Sequence, residues 1–267
     1  MKKMLLKSLL VLAGIYVLLC AVLYFVQERL IFIPRQTEAH HQYDFAQPFE
    51  ELSITTADGN KLHGILFQTT APAKGLIFYL HGNAGNLENW GKLAPAYTEL
   101  GYDVFIFDYR GFGKSEGRIF SEKQIFDDNQ RAYDLLKTRY PEDKIIVLGY
   151  SIGSGFAAKL AATNMPKLLI LQTPYYSLTD LMIRKFPAIP TFLLKYQFRT
   201  DKFLKECQMP IIIYHGTADK VIYYGAAKKL QNDYPDKVTL ITLEGQGHNG
   251  ITDNPEYRAH LRQVLAP

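Results

Sequence analysis

The pattern G-x-S-x-G occurs twice in this 267-residue chain, as Gly113-Lys114-Ser115-Glu116-Gly117 and as Gly149-Tyr150-Ser151-Ile152-Gly153. A serine hydroxyl becomes a useful nucleophile when it sits on a sharp strand-to-helix turn with a base beside it. Only the second copy has that context. Lys144–Leu148 is a short apolar run that predicts a strand, and Ile152–Ala162, rich in alanine, predicts a helix. Gly149 and Gly153 remove side chains where backbone must pass closely. The helix that follows also turns its first N–H groups toward charge developing at the serine. Ser115 lies instead among Lys114, Glu116 and Arg118 with no helix behind it, and reads as a loop. Ser151 is the candidate nucleophile, and the chemistry it implies is attack on an acyl carbon.

Such a serine needs a base, and the chain has 7 histidines. His40 and His41 fall in a linker, His63 in a predicted strand and His260 in the last predicted helix. His81 and His215 end apolar strands and suit bonding to nearby backbone. His248 differs. It follows the last strand in Glu244-Gly-Gln-Gly-His-Asn-Gly250, whose glycines let a loop carry an imidazole back over the sheet. The carboxylate that would hold this ring is expected at Asp219, in His215-Gly-Thr-Ala-Asp219, just beyond the strand Ile211–Tyr214. Asp180 and Asp233 fall in helical or surface segments. The order Ser151, Asp219, His248 is the chain order of one of the recurrent triad arrangements. An oxyanion formed at Ser151 needs backbone donors. Ile152 N–H is one. The second is expected in His81-Gly-Asn-Ala-Gly-Asn86 after the strand Gly75–Leu80, at Asn83 or, alternatively, Ala84.

The elements that must carry these residues alternate. Leu52–Thr56 and Leu62–Phe67 flank Asp58-Gly59 and predict a hairpin. Buried strands are predicted at Gly75–Leu80, Val104–Phe107, Ile145–Leu148, Leu168–Leu171, Ile211–Tyr214 and Val238–Leu243. Helices are predicted at Gln124–Thr138, Ile152–Ala162, Tyr224–Asn232 and Pro255–Val264. Alternation of this kind gives an α/β fold with a mostly parallel sheet covered on both faces, and ligands gather at the carboxyl ends of its strands. Residues 51–267 are expected to form that one domain. A short insert, Thr173–Met209, has room for two helices, around Leu178–Lys185 and Thr191–Phe198. Its Tyr175, Tyr176, Phe186, Phe192 and Phe198 are candidates for an acyl pocket, although ordinary core packing fits each of them better taken singly.

Ahead of the domain, Lys2, Lys3 and Lys7 precede an apolar run from Ser8 to Val26 that Gln27, Glu28 and Arg29 close. A spanning helix needs roughly 20 such residues, against about 7–15 for a signal-peptide core. Residues 1–27 are therefore expected to be a membrane anchor and 28–50 a linker or collar. The lysines favour a cytoplasmic N-terminus with the domain on the far side. A net charge of +4 with scattered basic residues gives no case for nucleic acid as a partner. The 2 cysteines, Cys20 and Cys207, build neither a disulfide framework nor a zinc pattern, and no cofactor or metal is expected.

With these residues in place the chain resembles the α/β-hydrolase superfamily over nearly all of Glu51–Pro267, and within it the Bem46-like group with its ABHD13- and ABHD17-type members. The residues that carry the resemblance are His81–Asn86 (HGNAGN), Asp108-Tyr-Arg-Gly-Phe-Gly-Lys-Ser115, Gly149–Gly153, His215–Asp219 and Gly247-His248-Asn249. The resemblance implies a membrane-associated hydrolase acting on an acylated small molecule, lipid or protein through ester or thioester cleavage. It also implies a structural turn around Ser115. A peptidase with the same machinery and a catalytically silent binding protein on the same fold are the competing expectations.

Overall fold

The computed structural model describes residues 1–266. A long helix, α1 (Lys2–Ile31), leads into β1 (Ile33–Pro34), and the hairpin β2 (Phe49–Thr55) and β3 (Lys61–Phe67) follows. Then come β4 (Leu76–Leu80), β5 (Ala84–Gly85), α2 (Leu87–Trp90), α3 (Pro95–Thr98), β6 (Asp103–Phe107), α4 (Glu122–Lys137), β7 (Ile145–Tyr150), α5 (Gly153–Ala161) and β8 (Leu168–Gln172). The chain closes with α6 (Leu178–Lys185), α7 (Thr200–Glu206), β9 (Ile211–Gly216), α8 (Gly225–Asp233), β10 (Val238–Leu243) and α9 (Pro255–Val264).

Eight strands form one sheet in the order β10-β9-β8-β7-β4-β6-β3-β2. All neighbours are parallel except β3, which runs antiparallel to both β2 and β6. The period of two along each strand splits the core across the sheet. Leu76, Phe78 and Leu80 of β4 pack toward Tyr133, Phe156 and Leu230 of α4, α5 and α8. Ile77 and Tyr79 of the same strand pack toward Tyr97 and Tyr257 of α3 and α9. Helix starts follow ordinary capping chemistry: the hydroxyls of Ser121 and Ser177 and the side-chain oxygen of Asn254 accept from backbone N–H groups at the first turns of α4, α6 and α9.

One expectation from sequence changes. The segment Thr191–Phe198 holds a single 3₁₀ turn, Thr191–Leu193, in place of a helix. Its backbone N–H groups are captured by side chains from elsewhere: Lys195 N donates to Gln27 Oε1, and Gln197 N and Phe198 N donate to the Glu122 carboxylate. Residues 28–50, expected to be a linker or collar, pack against the domain. Phe32 and Tyr43 are buried, β1 pairs in parallel with β5, and Gln36 bridges to Gly113.

Candidate active site

The strand β7 lies mid-sheet between β4 and β8, is buried throughout, and ends at Tyr150. Ser151 follows with φ of 52°, a left-handed conformation that non-glycine residues rarely hold, and α5 starts two residues later. Neighbouring strands hold the turn. Ser151 N donates to Gln172 O at 3.0 Å, and Ser154 donates to Ser151 O from both its backbone N–H and its hydroxyl. The flanking glycines are sterically required: a Cβ on Gly153 would lie 2.1 Å from Leu80 O, and one on Gly149 would lie 2.4 Å from Gly153 O. The helix thus packs on the sheet closely enough to present its N-terminus to the serine.

Beyond β9 and β10 the loops converge on this turn. His248 Nε2 lies 3.0 Å from Ser151 Oγ, and His248 Nδ1 lies 2.8 Å from Asp219 Oδ2. The other Asp219 oxygen accepts from Val221 N and Ile222 N at 2.8 and 2.9 Å. Burial alone would push the Asp219 carboxyl up, but hydrogen bonds from His215 and His248, the imidazole charge and the Ile222 N–H together hold it well below the usual carboxylate range. An ionised Asp219 fixes the proton of His248 on Nδ1 and leaves Nε2 free to accept from the serine. Tyr150, which is not among the site residues expected from sequence, secures the histidine loop: its hydroxyl is 3.0 Å from both His248 O and Asn249 Oδ1. An aromatic residue next to the serine was the available signal.

The loop His81–Asn86 forms the opposite wall, and it is fastened to the exit of α1. Asn83 Nδ2 donates to Ile31 O at 2.9 Å, Asn83 O accepts from Ile33 N at 2.8 Å, and Gly85 O accepts from Arg35 N at 3.0 Å. Asn86 Nδ2 adds a bond to the Thr37 hydroxyl. Among the described residues, the backbone N–H groups of Asn83 and Ile152 have no hydrogen-bond partner, so both donors expected from sequence remain available. Asn83, Ser151 and Ile152 line one cavity of about 600 Å³, within the range of roughly 300–1,000 Å³ usual for small-ligand clefts. Leu178, Met182 and Leu194 of the insert and Leu23, Leu30 and Ile31 of α1 supply its other walls. Of the aromatic candidates in the insert, Tyr175 and Phe186 line the cavity. Tyr176 and Phe198 pack with the core, and Phe192 is 82% exposed.

The remaining candidates have structural partners. Ser115 Oγ donates to Asp108 O and accepts from His63 N, so the first G-x-S-x-G copy is a buried turn. His81 Nδ1 bonds Gly82 O and His215 Nε2 bonds Ile222 O. His81 is completely buried, and desolvation lowers its pKa to about 4. Among the described residues no group of three or more His, Cys, Asp or Glu side chains is arranged to hold a metal ion.

Known proteins share this arrangement of elements. The sequence profile of the alpha/beta hydrolase fold family matches residues 75–193. Alpha/beta hydrolase domain-containing protein 17B of Xenopus laevis is 31% identical over 218 residues, which are 79% of this chain and 73% of that protein. Its human counterpart is 30% identical over the same shares of each chain. The chain belongs to the α/β-hydrolase family. Within that family it falls in the group of the 17B proteins, and it is a hydrolase. Solved structures agree on the fold. The Pyrococcus furiosus esterase Pf2001 superposes with a TM-score of 0.69 at 20% identity, covering 88% of this chain and 97% of its own. A Vibrio vulnificus alpha-beta hydrolase gives 0.65 at 21% identity, covering 82% of this chain and 79% of its own.

Proposed function

We propose that this α/β-hydrolase is a membrane-anchored serine hydrolase that cleaves acyl ester or thioester bonds through an acyl-enzyme intermediate. The observation that carries the reading is the unbroken relay from Ser151 Oγ through His248 to Asp219, at 3.0 and 2.8 Å, set in the wall of a mostly apolar cavity. Ser151 Oγ attacks the acyl carbon as His248 Nε2 takes its proton, and the resulting oxyanion is received by the N–H groups of Asn83 and Ile152. Collapse expels the alcohol or thiol, which takes the proton back from His248. Water then repeats the sequence on the acylated serine, releasing the acid. The apolar walls favour a hydrocarbon acyl chain, and the esterase among the structural neighbours is compatible with that choice.

In this reading residues 1–27 anchor the protein, 28–50 tie the anchor to the domain, and 51–267 carry catalysis. Lys2, Lys3 and Lys7 keep the N-terminus cytoplasmic and the domain on the far side. A fluorescent fluorophosphonate tests the central step. The folded protein should be labelled and its Ser151→Ala variant should not. No labelling of the folded wild type, or faster turnover of peptide amides than of esters and thioesters, would contradict the proposal.

A further inference from the structure

Gln27 and Glu28 mark where α1 meets the domain. Gln27 is buried; its Nε2 donates to Leu193 O and its Oε1 accepts from Lys195 N. Lys195 Nζ bonds the Glu28 carboxylate at 2.9 Å and sits over the Tyr24 ring. A Tyr, a Lys and a Glu gathered at one level is the chemistry of a membrane–water boundary. Yet the insert continues past that level toward the N-terminus of α1. Tyr16 donates its hydroxyl to Ala188 O at 2.8 Å. Tyr16 lies eleven residues before Gln27, about 16 Å along the helix and about half of a hydrocarbon core.

The segment that runs alongside has the composition this depth demands. Phe186-Pro-Ala-Ile-Pro-Thr-Phe-Leu-Leu194 carries no charge, while Arg184 and Lys185 precede it and Lys195 follows it. Phe192 is 82% exposed, and Phe186 and Ile183 are more than half exposed. Polar backbone in hydrocarbon must be paired within the protein. Much of it is paired here: Pro187 and Pro190 lack N–H groups, Phe186, Ile189, Leu193 and Leu194 donate to carbonyls within the insert, and the carbonyls of Ala188 and Leu193 are taken by Tyr16 and Gln27, which leaves the N–H groups of Ala188, Thr191 and Phe192 without a partner among the described residues. The cavity that reaches Ser151 is walled by this insert and α1 together.

We propose that Phe186–Leu194 is inserted into the same membrane leaflet as the C-terminal half of α1, so that the cavity at Ser151 opens to lipid hydrocarbon and draws its acyl chain sideways from the membrane. The inference rests on the reading of α1 as a membrane anchor and of Ser151 as the nucleophile. The occupant of this surface is lipid hydrocarbon: the anchor that would cross the bilayer and the exposed insert form one continuous apolar face, bounded at one end by the Glu28–Lys195 pair.

The test uses the full chain in phosphatidylcholine vesicles. Phe192→Cys in a Cys20→Ser background offers one reactive thiol, because Cys207 is completely buried and its thiol is pushed up to about 12. A nitrobenzoxadiazole probe at position 192 should be quenched by acyl-chain nitroxides several-fold more than the same probe at Asp236→Cys, an exposed site preceding β10. Carbonate washing should leave the protein in the vesicles. Equal quenching at both sites in carbonate-resistant protein would overturn the inference and leave the anchor reading intact. Release by carbonate would remove the anchor reading and the inference with it. A second variant reads substrate entry. Phe192 lies outside the cavity lining, so Phe192→Asp should slow hydrolysis of a long-chain ester held in vesicles several-fold without changing hydrolysis of a short water-soluble ester. Unchanged rates on both would overturn sideways entry. A wild type that fluorophosphonate does not label would indict the nucleophile instead, whatever the probe depth.

Discussion

The strand-end face and the face beside α1 meet at one cavity but are built differently. On the strand-end face, Ser151, Asp219 and His248 stand just after β7, β9 and β10, so three neighbouring loops on one rigid sheet set their spacing. On the α1 side, residues more than 160 positions apart are joined by polar side chains acting singly: Tyr16 to Ala188, Gln27 to Leu193 and Lys195, Glu28 to Tyr196. The first face is over-determined by packing. The second depends on a few hydrogen bonds, each of which can be removed alone. Reactivity is therefore expected to be robust in one region and tunable in the other.

Removing the nucleophile gives the largest contrast. Ser151→Ala or His248→Ala should lower kcat by about 10⁴–10⁶-fold, with thermal unfolding little changed, as steady-state hydrolysis of a soluble ester will show. Next comes the exit of α1. Deleting residues 1–37 strips the loop His81–Asn86 of its bonds to Ile31, Ile33, Arg35 and Thr37. That should cost about 10²-fold in kcat on a soluble ester, the order expected for one misplaced oxyanion donor. Deleting only residues 1–19 should leave that rate nearly intact, since those bonds remain. Equal losses from the two deletions would show that the staple does not position the loop.

Smaller effects separate the faces further. Gln27→Leu leaves Leu193 O and Lys195 N unpaired at a buried position, a loss of about 1–3 kcal/mol in local stability. Hydrogen exchange should quicken in residues 186–198 and stay unchanged in β7. The smallest effect is one of acidity. Asp219 is held below the usual carboxylate range, so its contribution to stability is present above about pH 3.9 and is lost as pH falls through its lower folded value. Asp219→Asn should flatten that acid limb in thermal melts between pH 5 and pH 2, whereas a limb unchanged in the variant would assign it to other carboxylates.

The same contrast decides what the sequence reveals. The ladder of strands and the helices α4, α5, α8 and α9 are legible because apolar periodicity is local. The placement of Ser151, Asp219 and His248 is legible because each follows a strand that can be recognised by itself. Gly149 and Gly153 single out Ser151 as the candidate once the strand and helix around them are seen, and Ser115 is set aside by lacking both. The α1 side is hidden for the opposite reason. Nothing in Thr191–Phe198 announces that Gln27 and Glu122 will take its N–H groups and keep it from forming a helix. Nothing local in residues 28–50 predicts that Phe32 will be buried or that Ile33 will pair beside Asn83. The short α2, α3 and α7 escape for lack of length, since fewer than two turns leave little periodicity to read.

The most direct measurement of the central claim is peptide mass mapping after rapid mixing of the protein with an activated acyl ester and acid quench. The account predicts an acyl adduct on the peptide that contains Ser151, forming faster than it decays and absent from Ser151→Ala. Turnover with the adduct on another residue, Ser115 included, or with no adduct under conditions that trap one, would contradict it.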